Sequence, residues 1–298
     1  MEATRTNETI AEEIRERLQE MTPSERRVAR TLLATYPTAG LESMPQVAEA
    51  AGVTGPTVLR FVRKIGFAGY PAFQRSLRAE VQARTEGLPS LYRTRGVPPR
   101  DDLIRSSHEA FTRSLDATFT STTLEDDLDG VVSLLCDARR RLWFAGGRFS
   151  QLVARYLEFQ LRMLRPRCAV IDEAPDRRVL DAMEIDKRDV LCLFDYRRYQ
   201  QDTVAVATVA AERGAVVVVF TDPWLSPAVE SATHVLISHV DSASPFDSLV
   251  GAFALTELLT ARVVEALGEA GSARVSELEG VHARVDDAVE AARAGARA

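Results

Sequence analysis

The stretch from Gln46 to Lys64 constrains the fold of this chain more than any other, because two short amphipathic segments meet there at a single glycine. Apolar residues recur at helical spacing on both sides of Gly52, and glycine adopts a tight turn between two helices most easily. Thr54 stands where a helix cap is expected, and Gly66 ends the second segment. The pattern predicts a helix-turn-helix.

Helical signals continue on either side of this motif. Thr22, Pro23 and Glu25 form the pattern of a capping box, which predicts the start of a helix that ends before Pro37. The first 83 residues are therefore predicted to be all helix. The other predicted helices of this region run through Ile10–Met21 and cover Pro45–Ala51, Gly55–Ile65 and Pro71–Ala83.

The positive charge of the chain is concentrated in one place. The formal net charge is −6 at pH 7, which argues against a protein that coats nucleic acid everywhere. Between Thr54 and Arg84, however, six residues are basic and only Glu80 is acidic. A basic surface on a helix-turn-helix is typical of a DNA-binding protein. The alternative is a helical bundle with a solvated basic face.

The second helix of the motif fits the major groove of DNA with its N-terminal residues at the base edges. Its predicted outward residues are Thr54, Gly55, Thr57, Arg60, Arg63 and Lys64. Thr54, Thr57 and Arg60 are the candidates for base contacts, and the backbone near Gly55 is a candidate for a phosphate contact. The side chains predicted to hold phosphates, which position a protein without specifying sequence, are Arg63, Lys64, Tyr70, Arg75 and Arg78.

A second domain follows a predicted linker over Gly87–Arg100. Short, mostly apolar strands alternate there with helices, which predicts a parallel sheet covered on both faces. The predicted strands are Arg141–Ala145, Cys168–Ile171, Val190–Phe194, Ala215–Phe220 and His234–Ile237. The predicted helices of this part of the chain are Asp102–Thr120, Leu124–Ala138, a helix ending near Leu164, Gln200–Arg213, Phe246–Leu267 and Glu277–Arg293. The predicted domains are residues 1–84, a linker and connecting helix over 85–127, a domain over 128–270 and a C-terminal helix or tail over 271–298.

Residues 21–83 resemble the helix-turn-helix of the MurR/RpiR family of bacterial transcriptional regulators. The resemblance rests on Met21–Arg26, Val47–Val53 and Val58–Phe67. In that family a SIS (sugar isomerase) domain follows, and residues 128–268 resemble it in strand order, length and end helix. The resemblance implies an all-α helix-turn-helix domain followed by an α/β doubly wound parallel-sheet domain. It further implies a homodimeric or homotetrameric regulator, a repressor rather than an activator, that binds palindromic double-stranded DNA and a carbohydrate-derived effector.

Open parallel sheets bind ligands at the carboxyl ends of their strands, where three loops of this chain are predicted to lie. SIS domains that bind phosphosugars carry Gly-x-Gly-Ser in the first loop and small hydroxyls in the second, whereas Arg148 and residues 195–198 bring charge to those places here. Either the arginines bind a small anionic metabolite, a phosphosugar or an organic acid, or Asp195 pairs with one arginine and the pocket is filled. The candidate effector residues are Gly146, Gly147, Arg148, Ser150, Asp195, Arg197, Arg198, Thr203, Thr221 and Ser226.

The enzymatic alternative is a sugar-phosphate isomerase, which needs a positioned acid or base, and His239 is the one histidine near the predicted ligand end of the sheet. The sequence has no metal-ligand spacing and no phosphate-binding P-loop, so a regulator without a cofactor is predicted rather than an enzyme. The first ten residues lack a leader pattern, and no apolar run reaches the roughly 18 residues of a membrane helix. With three cysteines and no C-x-x-C pair, these features predict a cytoplasmic protein without membrane contacts.

Overall fold

The computed structural model describes residues 9–34, 36–85, 88–94, 96–120 and 124–295. Its contacts divide the chain into two compact units, of which the first comprises Met1–Ser106 with Asp241–Phe246 and the second Ser107–Val240 with Asp247–Ala298. The residues before Thr9, where no leader pattern was found, Gly87 of the predicted linker and the end of the predicted tail lie outside the described residues.

The first unit is helical, as predicted. Its capping box is confirmed, because the Thr22 N–H donates to Glu25 Oε2 at 2.9 Å and the Glu25 N–H donates to Thr22 Oγ1 at 3.4 Å. These two bonds satisfy N–H groups that the first turn of a helix leaves without partners. The helices are α1 (Ile10–Glu16), α2 (Pro23–Ala34), α3 (Met44–Ala50), α4 (Gly55–Lys64), α5 (Tyr70–Thr85) and α6 (Leu88–Thr94).

Helices α3 and α4 form the predicted helix-turn-helix. Gly52 has a φ of +61°, the left-handed conformation that favours glycine, and the Val53 N–H donates to the Ala48 carbonyl at 2.9 Å across the turn. Val58, Phe61 and Val62 of α4 are fully buried in the core of this unit. The turn and the core together fix which face of α4 points outward.

Helix α6 lies in the segment that was predicted to be a linker, so this part of the prediction was wrong. Pro89 occupies the second position of this helix, where a missing N–H costs nothing, so it starts the helix instead of breaking it. Leu91 is 1% exposed and anchors the helix in its unit. Proline content alone therefore misled the sequence prediction at this point.

The second unit carries the predicted α/β fold. Five parallel strands lie in the order β2-β1-β3-β4-β5. Helix α11 packs on one face of the sheet with α10 beside it, and α8, α9 and α12 pack together on the other face. The elements are α7 (Arg100–Phe119, which begins in the first unit), α8 (Leu124–Cys136), β1 (Leu142–Gly146), α9 (Gln151–Leu164), β2 (Cys168–Val170), α10 (Pro175–Glu184), β3 (Val190–Phe194), α11 (Gln201–Glu212), β4 (Val216–Thr221), β5 (His234–Ile237) and α12 (Val250–Gly295).

Strands β1 and β3 are neighbours, with Gly146 opposite Phe194, but the chain leaves them in opposite directions across the sheet. It passes from β1 through α9 to β2, and from β3 through α11 to β4. The helices that follow β1 and β3 therefore lie on opposite faces of the sheet, and folds of this class bind ligands at the carboxyl ends of the strands at such a point. We call the space at the carboxyl ends of β1 and β3 the effector crevice.

Helix α12 replaces the two helices predicted over 246–267 and 277–293. It is broken at Gly268, whose φ of 49° and ψ of −123° are accessible almost only to glycine. We call residues 269–295, which follow this break, the tail helix. No helix among those described combines the length and the apolar character that crossing a membrane requires.

Candidate nucleic-acid interface and effector crevice

The outward face of α4 differs from the prediction at Thr57. Thr54, Arg60 and Arg63 are exposed, but Thr57 is only 7% exposed. Its hydroxyl lies 3.1 Å from Thr54 Oγ1 and 3.4 Å from Arg60 Nη2. Thr54 is at the N-cap, yet its side chain makes no cap bond. Thr57 is thus a support for its two neighbours, and its predicted outward position was wrong.

Lys64, predicted as a phosphate contact, bonds within its own unit. Its Nζ donates to the Glu20 carbonyl at 2.5 Å and lies 3.3 Å from Glu25 Oε2. Burial alone would raise the pKa of the Glu25 carboxyl, but hydrogen bonds from Thr22 and Lys64 outweigh it and lower that pKa. Lys64 therefore joins the end of α4 to the start of α2.

Tyr70 was also predicted to bond phosphate, and the structure gives it another role. The ring is buried, and its hydroxyl donates to the Glu42 carbonyl at 2.7 Å. Burial, with the nearby Glu42 charge, raises the pKa of Tyr70 to about 12. Tyr70 thus holds the chain that leads into α3, and it turns its hydroxyl away from solvent.

The four arginines that were predicted to contact DNA remain open. All are exposed, and none of them pairs with a carboxylate of the part of the chain that the structure describes. Exposed cations without acidic partners are available to phosphates. These residues are Arg60 and Arg63 on α4 and Arg75 and Arg78 on α5.

Two loops meet closely at the first part of the effector crevice. Ser150 Oγ accepts from the Gly147 N–H at 2.9 Å and donates to the Phe194 carbonyl at 2.6 Å. The Arg148 N–H donates to Gln200 Oε1 at 2.7 Å. A Cβ on Gly147 would lie 3.1 Å from that same oxygen. Gln200, which the sequence interpretation missed, thus occupies the space above the start of α9.

A Cβ on Gly146 would lie 2.6 Å from the Gln151 backbone nitrogen, so only glycine fits between β1 and the first turn of α9. Packing alone thus accounts for Gly146, whereas a Cβ on Gly147 would meet only side-chain atoms of Gln200 and Ser150, at 3.1 and 3.4 Å.

Asp195 joins the second loop to the third, and not to an arginine as one of our two interpretations proposed. It is 1% exposed, and its Oδ2 accepts from Ser226 Oγ at 2.5 Å. The Ser226 N–H donates in turn to Thr221 Oγ1 at 3.0 Å. Burial raises the pKa of Asp195 to about 7, although hydrogen bonds from Ser226 and the Gln200 backbone oppose the rise.

The next carboxylate, Asp222, is fully buried and accepts from Tyr199 Oη at 2.6 Å and from the backbone N–H groups of Arg197 and Trp224 at 2.5 and 3.1 Å. Burial raises the pKa of Asp222 to about 6, despite the opposing hydrogen bond from Tyr199. These bonds fasten the second loop onto the third. Two carboxylates with raised pKa values thus lie side by side at the carboxyl ends of β3 and β4.

Arg197 forms a buried, two-pronged ion pair in the crevice. Its guanidinium donates to both carboxylate oxygens of Asp247, through Nε at 3.1 Å and through Nη2, and lies 4.5 Å above the ring centroid of Trp224. The side chain is 1% exposed. A guanidinium held in this two-pronged pair has little capacity left for an anionic ligand. Neither Asp247 nor Trp224 was predicted to be its partner.

The start of α11 carries its own negative charge. Thr203, a predicted effector residue, is buried, and its N–H donates to Asp202 Oδ1 at 2.9 Å. Asp202 also pairs with Arg178, and that hydrogen bond lowers the pKa of the Asp202 carboxyl. A carboxylate thus lies at the helix terminus where an anionic ligand gains most from the helix dipole.

Two predicted cations remain open beside the crevice. Arg148 follows β1 and Arg198 follows β3, on the two loops that Gln200 joins. Arg198 has a φ of 69°, an uncommon conformation for a residue with a side chain. In the described structure neither arginine makes an ion pair.

His239, the candidate base of the isomerase alternative, is buried and has a structural role. His239 is 5% exposed, its N–H donates to Thr118 Oγ1 at 3.0 Å, and its carbonyl accepts from Ser114 Oγ at 2.6 Å. Within the described residues, no group of three histidine, cysteine, aspartate or glutamate side chains is arranged to hold a metal ion.

Two family models match this chain, one within each of its two units. The model of the helix-turn-helix domain of the rpiR family matches residues 8–84, and the model of the SIS domain matches residues 134–262. The chain belongs to the RpiR family of transcriptional regulators. The RpiR-type domain is a DNA-binding domain, so the predicted fold class and family are both confirmed.

Curated relatives of this RpiR-family chain are named as regulators. The HTH-type transcriptional regulator HexR of Pseudomonas aeruginosa is 28% identical over 216 residues, which cover 71% of this chain and 73% of the relative. HexR of Escherichia coli is 27% identical over 227 residues, 75% of each chain.

Among solved structures, the sugar isomerase domain of an RpiR transcription factor from Sphaerobacter thermophilus matches with a TM-score of 0.56 and 28% identity, over 60% of this chain and 98% of that one. The Vibrio vulnificus NanR protein, complexed with ManNAc-6P, matches with a TM-score of 0.52 and 19% identity, over 93% and 99% of the two chains. The second likeness concerns the fold.

The Arg197–Asp247 pair predicts a clear stability effect. Replacing Arg197 by Leu leaves a buried carboxylate without its partner, and we expect a loss of about 3–5 kcal/mol in the free energy of unfolding, measured in urea. Replacing Arg197 and Asp247 together by Leu should cost less than the sum of the two single changes. Arg155→Leu, which removes a half-exposed ion pair with Glu173, is the control and should cost less than about 1 kcal/mol. Additive losses in the double variant would contradict this assignment.

The raised pKa of Asp195 predicts a dependence of stability on pH. Because the folded-state pKa of about 7 lies above the ordinary 3.8, the neutral carboxyl favours the folded state. That contribution is complete below about pH 4 and is lost as the pH rises through 7. Asp195→Asn should therefore flatten the fall of the unfolding free energy between pH 5 and 8, while the exposed control Asp176→Asn should leave it unchanged. Equal slopes for wild type and Asp195→Asn would refute the assignment.

Proposed function

We propose that this chain is a cytoplasmic, homo-oligomeric repressor that binds a palindromic operator through α4 and responds to a small anionic metabolite in its SIS domain. The observation that carries the DNA-binding part is that Arg60, Arg63, Arg75 and Arg78, on α4 and α5 of an RpiR-type helix-turn-helix domain, are exposed and have no acidic partner among the described residues. The names of the curated relatives support regulation in place of catalysis. The backbone-anchored His239 gives no support to the isomerase alternative.

The positions of the basic residues support different DNA contacts for them, to bases or to phosphates. Arg60 lies in the middle of α4, and its guanidinium lies 3.4 Å from the hydroxyl of Thr57, one turn nearer the end that enters the major groove in this motif, so it is the candidate for a base contact. Arg63 lies at the other end of α4, and Arg75 and Arg78 lie on α5, so these three are candidates for phosphate contacts.

A palindromic operator requires two copies of the chain, since each helix-turn-helix reads one half-site. Helix α9 and the loop before it offer a surface for association, because Phe149, Leu152 and Phe159 are 52%, 62% and 64% exposed. Exposed apolar patches mark interaction sites in soluble proteins. This surface supports a homodimer.

The effector proposal rests on Arg148 and Arg198. Both are cations without ion pairs in the described structure, at the crevice where folds of this class bind ligands. The NanR protein of similar fold is complexed with ManNAc-6P, a phosphorylated sugar. A ligand of this kind controls DNA binding only if it binds the competent and incompetent states with different affinities.

A second candidate is a regulator without a ligand. Gln200 above α9 and Asp202 at the start of α11 occupy the helix termini where a phosphate would bind, and Arg197 is committed to Asp247. This arrangement favours a crevice whose side chains stabilise the fold and bind no ligand. The two candidates differ in their response to added anions.

The DNA proposal is tested by fluorescence anisotropy on a palindrome from the chain's own upstream DNA at several salt concentrations. Arg60→Ala should cost about 1–3 kcal/mol on the palindrome and little on unrelated DNA. Arg63→Ala should weaken binding to both and reduce the salt slope by about 1, because one fewer counterion is released. Arg177→Ala, on exposed α10 of the other unit, is the control. Wild-type affinity in both α4 variants would exclude α4 as the DNA contact.

The effector proposal is tested by thermal unfolding with sugar 6-phosphates and small dicarboxylic acids. At a concentration about 100 times its Kd, a ligand should stabilise the chain by about 2.7 kcal/mol. Arg148→Ala and Arg198→Ala should each reduce this stabilisation, and the control Arg177→Ala should retain it. If no anion raises the unfolding temperature of the wild type, the candidate without a ligand is favoured.

A further inference from the structure

A cavity of about 740 Å³ lies at the amino ends of the strands, at the end of the sheet opposite the effector crevice. Its lining comes from the loops that lead into β1, β2 and β3, which are neighbours in the sheet. The volume is typical of a pocket for a small molecule, about 300–1,000 Å³. We call this space the amino-end cavity. Its lining residues are Asp137, Ala138, Arg139, Arg140, Pro166, Arg167, Lys187 and Arg188.

The lining of the amino-end cavity is basic, although the chain as a whole is acidic. Five of the eight lining residues are cations and one is a carboxylate, an excess of four positive charges in a chain whose formal net charge is −6. Asp137 accepts from the N–H, Nε and Nη2 of Arg139 at 3.0–3.2 Å, and these bonds lower the pKa of the Asp137 carboxyl to about 2. Arg140 Nε lies 3.5 Å from the same carboxylate. One carboxylate is thus shared by two cations, and the cavity keeps most of its positive charge.

Lys187 and Arg188 are the cations most open to a ligand. Both are exposed, and within the described residues neither makes an ion pair. The carboxylates of the same loop are engaged elsewhere, because Asp189 accepts from Trp143 Nε1 at 2.9 Å and Asp186 accepts from the Arg188 N–H at 2.7 Å. An anion that enters the cavity therefore meets two cations without having to break an ion pair.

A buried arginine holds the walls of the amino-end cavity in place. Arg165 is 2% exposed, and its guanidinium donates to the Asp137 carbonyl at 3.0 Å and to the Arg140 carbonyl. Arg167 Nη1 joins the same two loops, since it donates to the Arg139 carbonyl at 3.1 Å. The loops before β1 and β2 are thus fixed to each other before any ligand binds. A preorganised site loses less conformational entropy on binding than a mobile one.

We propose that the amino-end cavity binds a small anion that carries two or more phosphate groups. One phosphate group has about two negative charges at neutral pH, so two or more are needed to balance the excess charge of the lining. Guanidinium groups bind phosphate oxygens in two-pronged pairs. The described lining contains no aromatic ring on which a base could stack, so the phosphate groups are the part of the ligand that is recognised. This site does not depend on the proposed DNA or effector roles.

Isothermal titration calorimetry of the full chain with inorganic tripolyphosphate tests the proposal. Lys187→Ala with Arg188→Ala removes the two unpaired cations and should weaken binding roughly tenfold, and orthophosphate should bind the wild type roughly tenfold more weakly than tripolyphosphate. Arg155→Ala with Arg177→Ala removes the same charge elsewhere on this unit and, as the matched control, should retain wild-type binding. Equal binding by the cavity variant and the wild type would overturn the proposal.

Two further measurements separate the amino-end cavity from other anion sites. Arg148→Ala with Arg198→Ala should leave tripolyphosphate binding unchanged, and if this variant loses the binding, the anion occupies the effector crevice and the proposal is wrong. A nucleoside triphosphate should bind within about fivefold of tripolyphosphate, because both present a chain of phosphate groups. If tripolyphosphate does not bind, and the cavity variant weakens binding to unrelated duplex DNA, the cavity contacts nucleic acid instead and the proposal fails.

Discussion

The pairing of β1 with β3 is the constraint on which the second unit depends. Because the two strands run parallel and side by side, Gly146 and Phe194 end at the same height, and the loops that follow must share the space above them. The Phe194 carbonyl accepts from both the Gly147 N–H and Ser150 Oγ, so the turn into α9 is tied to the end of its neighbouring strand. The loop after β1 and the loop after β3 are thus held together by hydrogen bonds.

The free-energy cost of burying charged groups explains how the charged side chains of the crevice are paired. An ionised side chain leaves water only when other groups replace the hydration it loses. Arg197 meets this requirement through Asp247 and the Trp224 ring, and Asp195 meets it through Ser226 together with a raised pKa. These residues look like ligand-binding groups in the sequence because they are charged and stand in the right loops. In three dimensions they satisfy one another, and the cations open to an anionic ligand are the less buried ones.

The sequence predicted those features whose cause is local. The capping box at Thr22 and the turn at Gly52 depend on residues within a few positions, and the family resemblance supplied the order of the two units. The pairing of Arg197 with Asp247 spans 50 positions and depends on how a loop crosses the sheet, which no spacing rule describes. The burial of Thr57 could not be read from an apolar pattern because it is a polar residue. Helix α10 was missed although proline at its first position was a usable signal.

The attachment of α4 to the rest of its unit sets the mechanics of control. Lys64 bonds to the loop before α2 and to Glu25, and Arg17 Nη1 donates to the Lys64 carbonyl at 2.5 Å. Together with the buried Phe61, these bonds oppose tilting or rotation of α4 within its unit. A signal that reaches α4 is therefore expected to move the helix together with the unit that holds it. In the proposed homo-oligomer, two such units would each present one α4, and a palindrome with a fixed distance between its half-sites would bind only when the two helices are the matching distance apart.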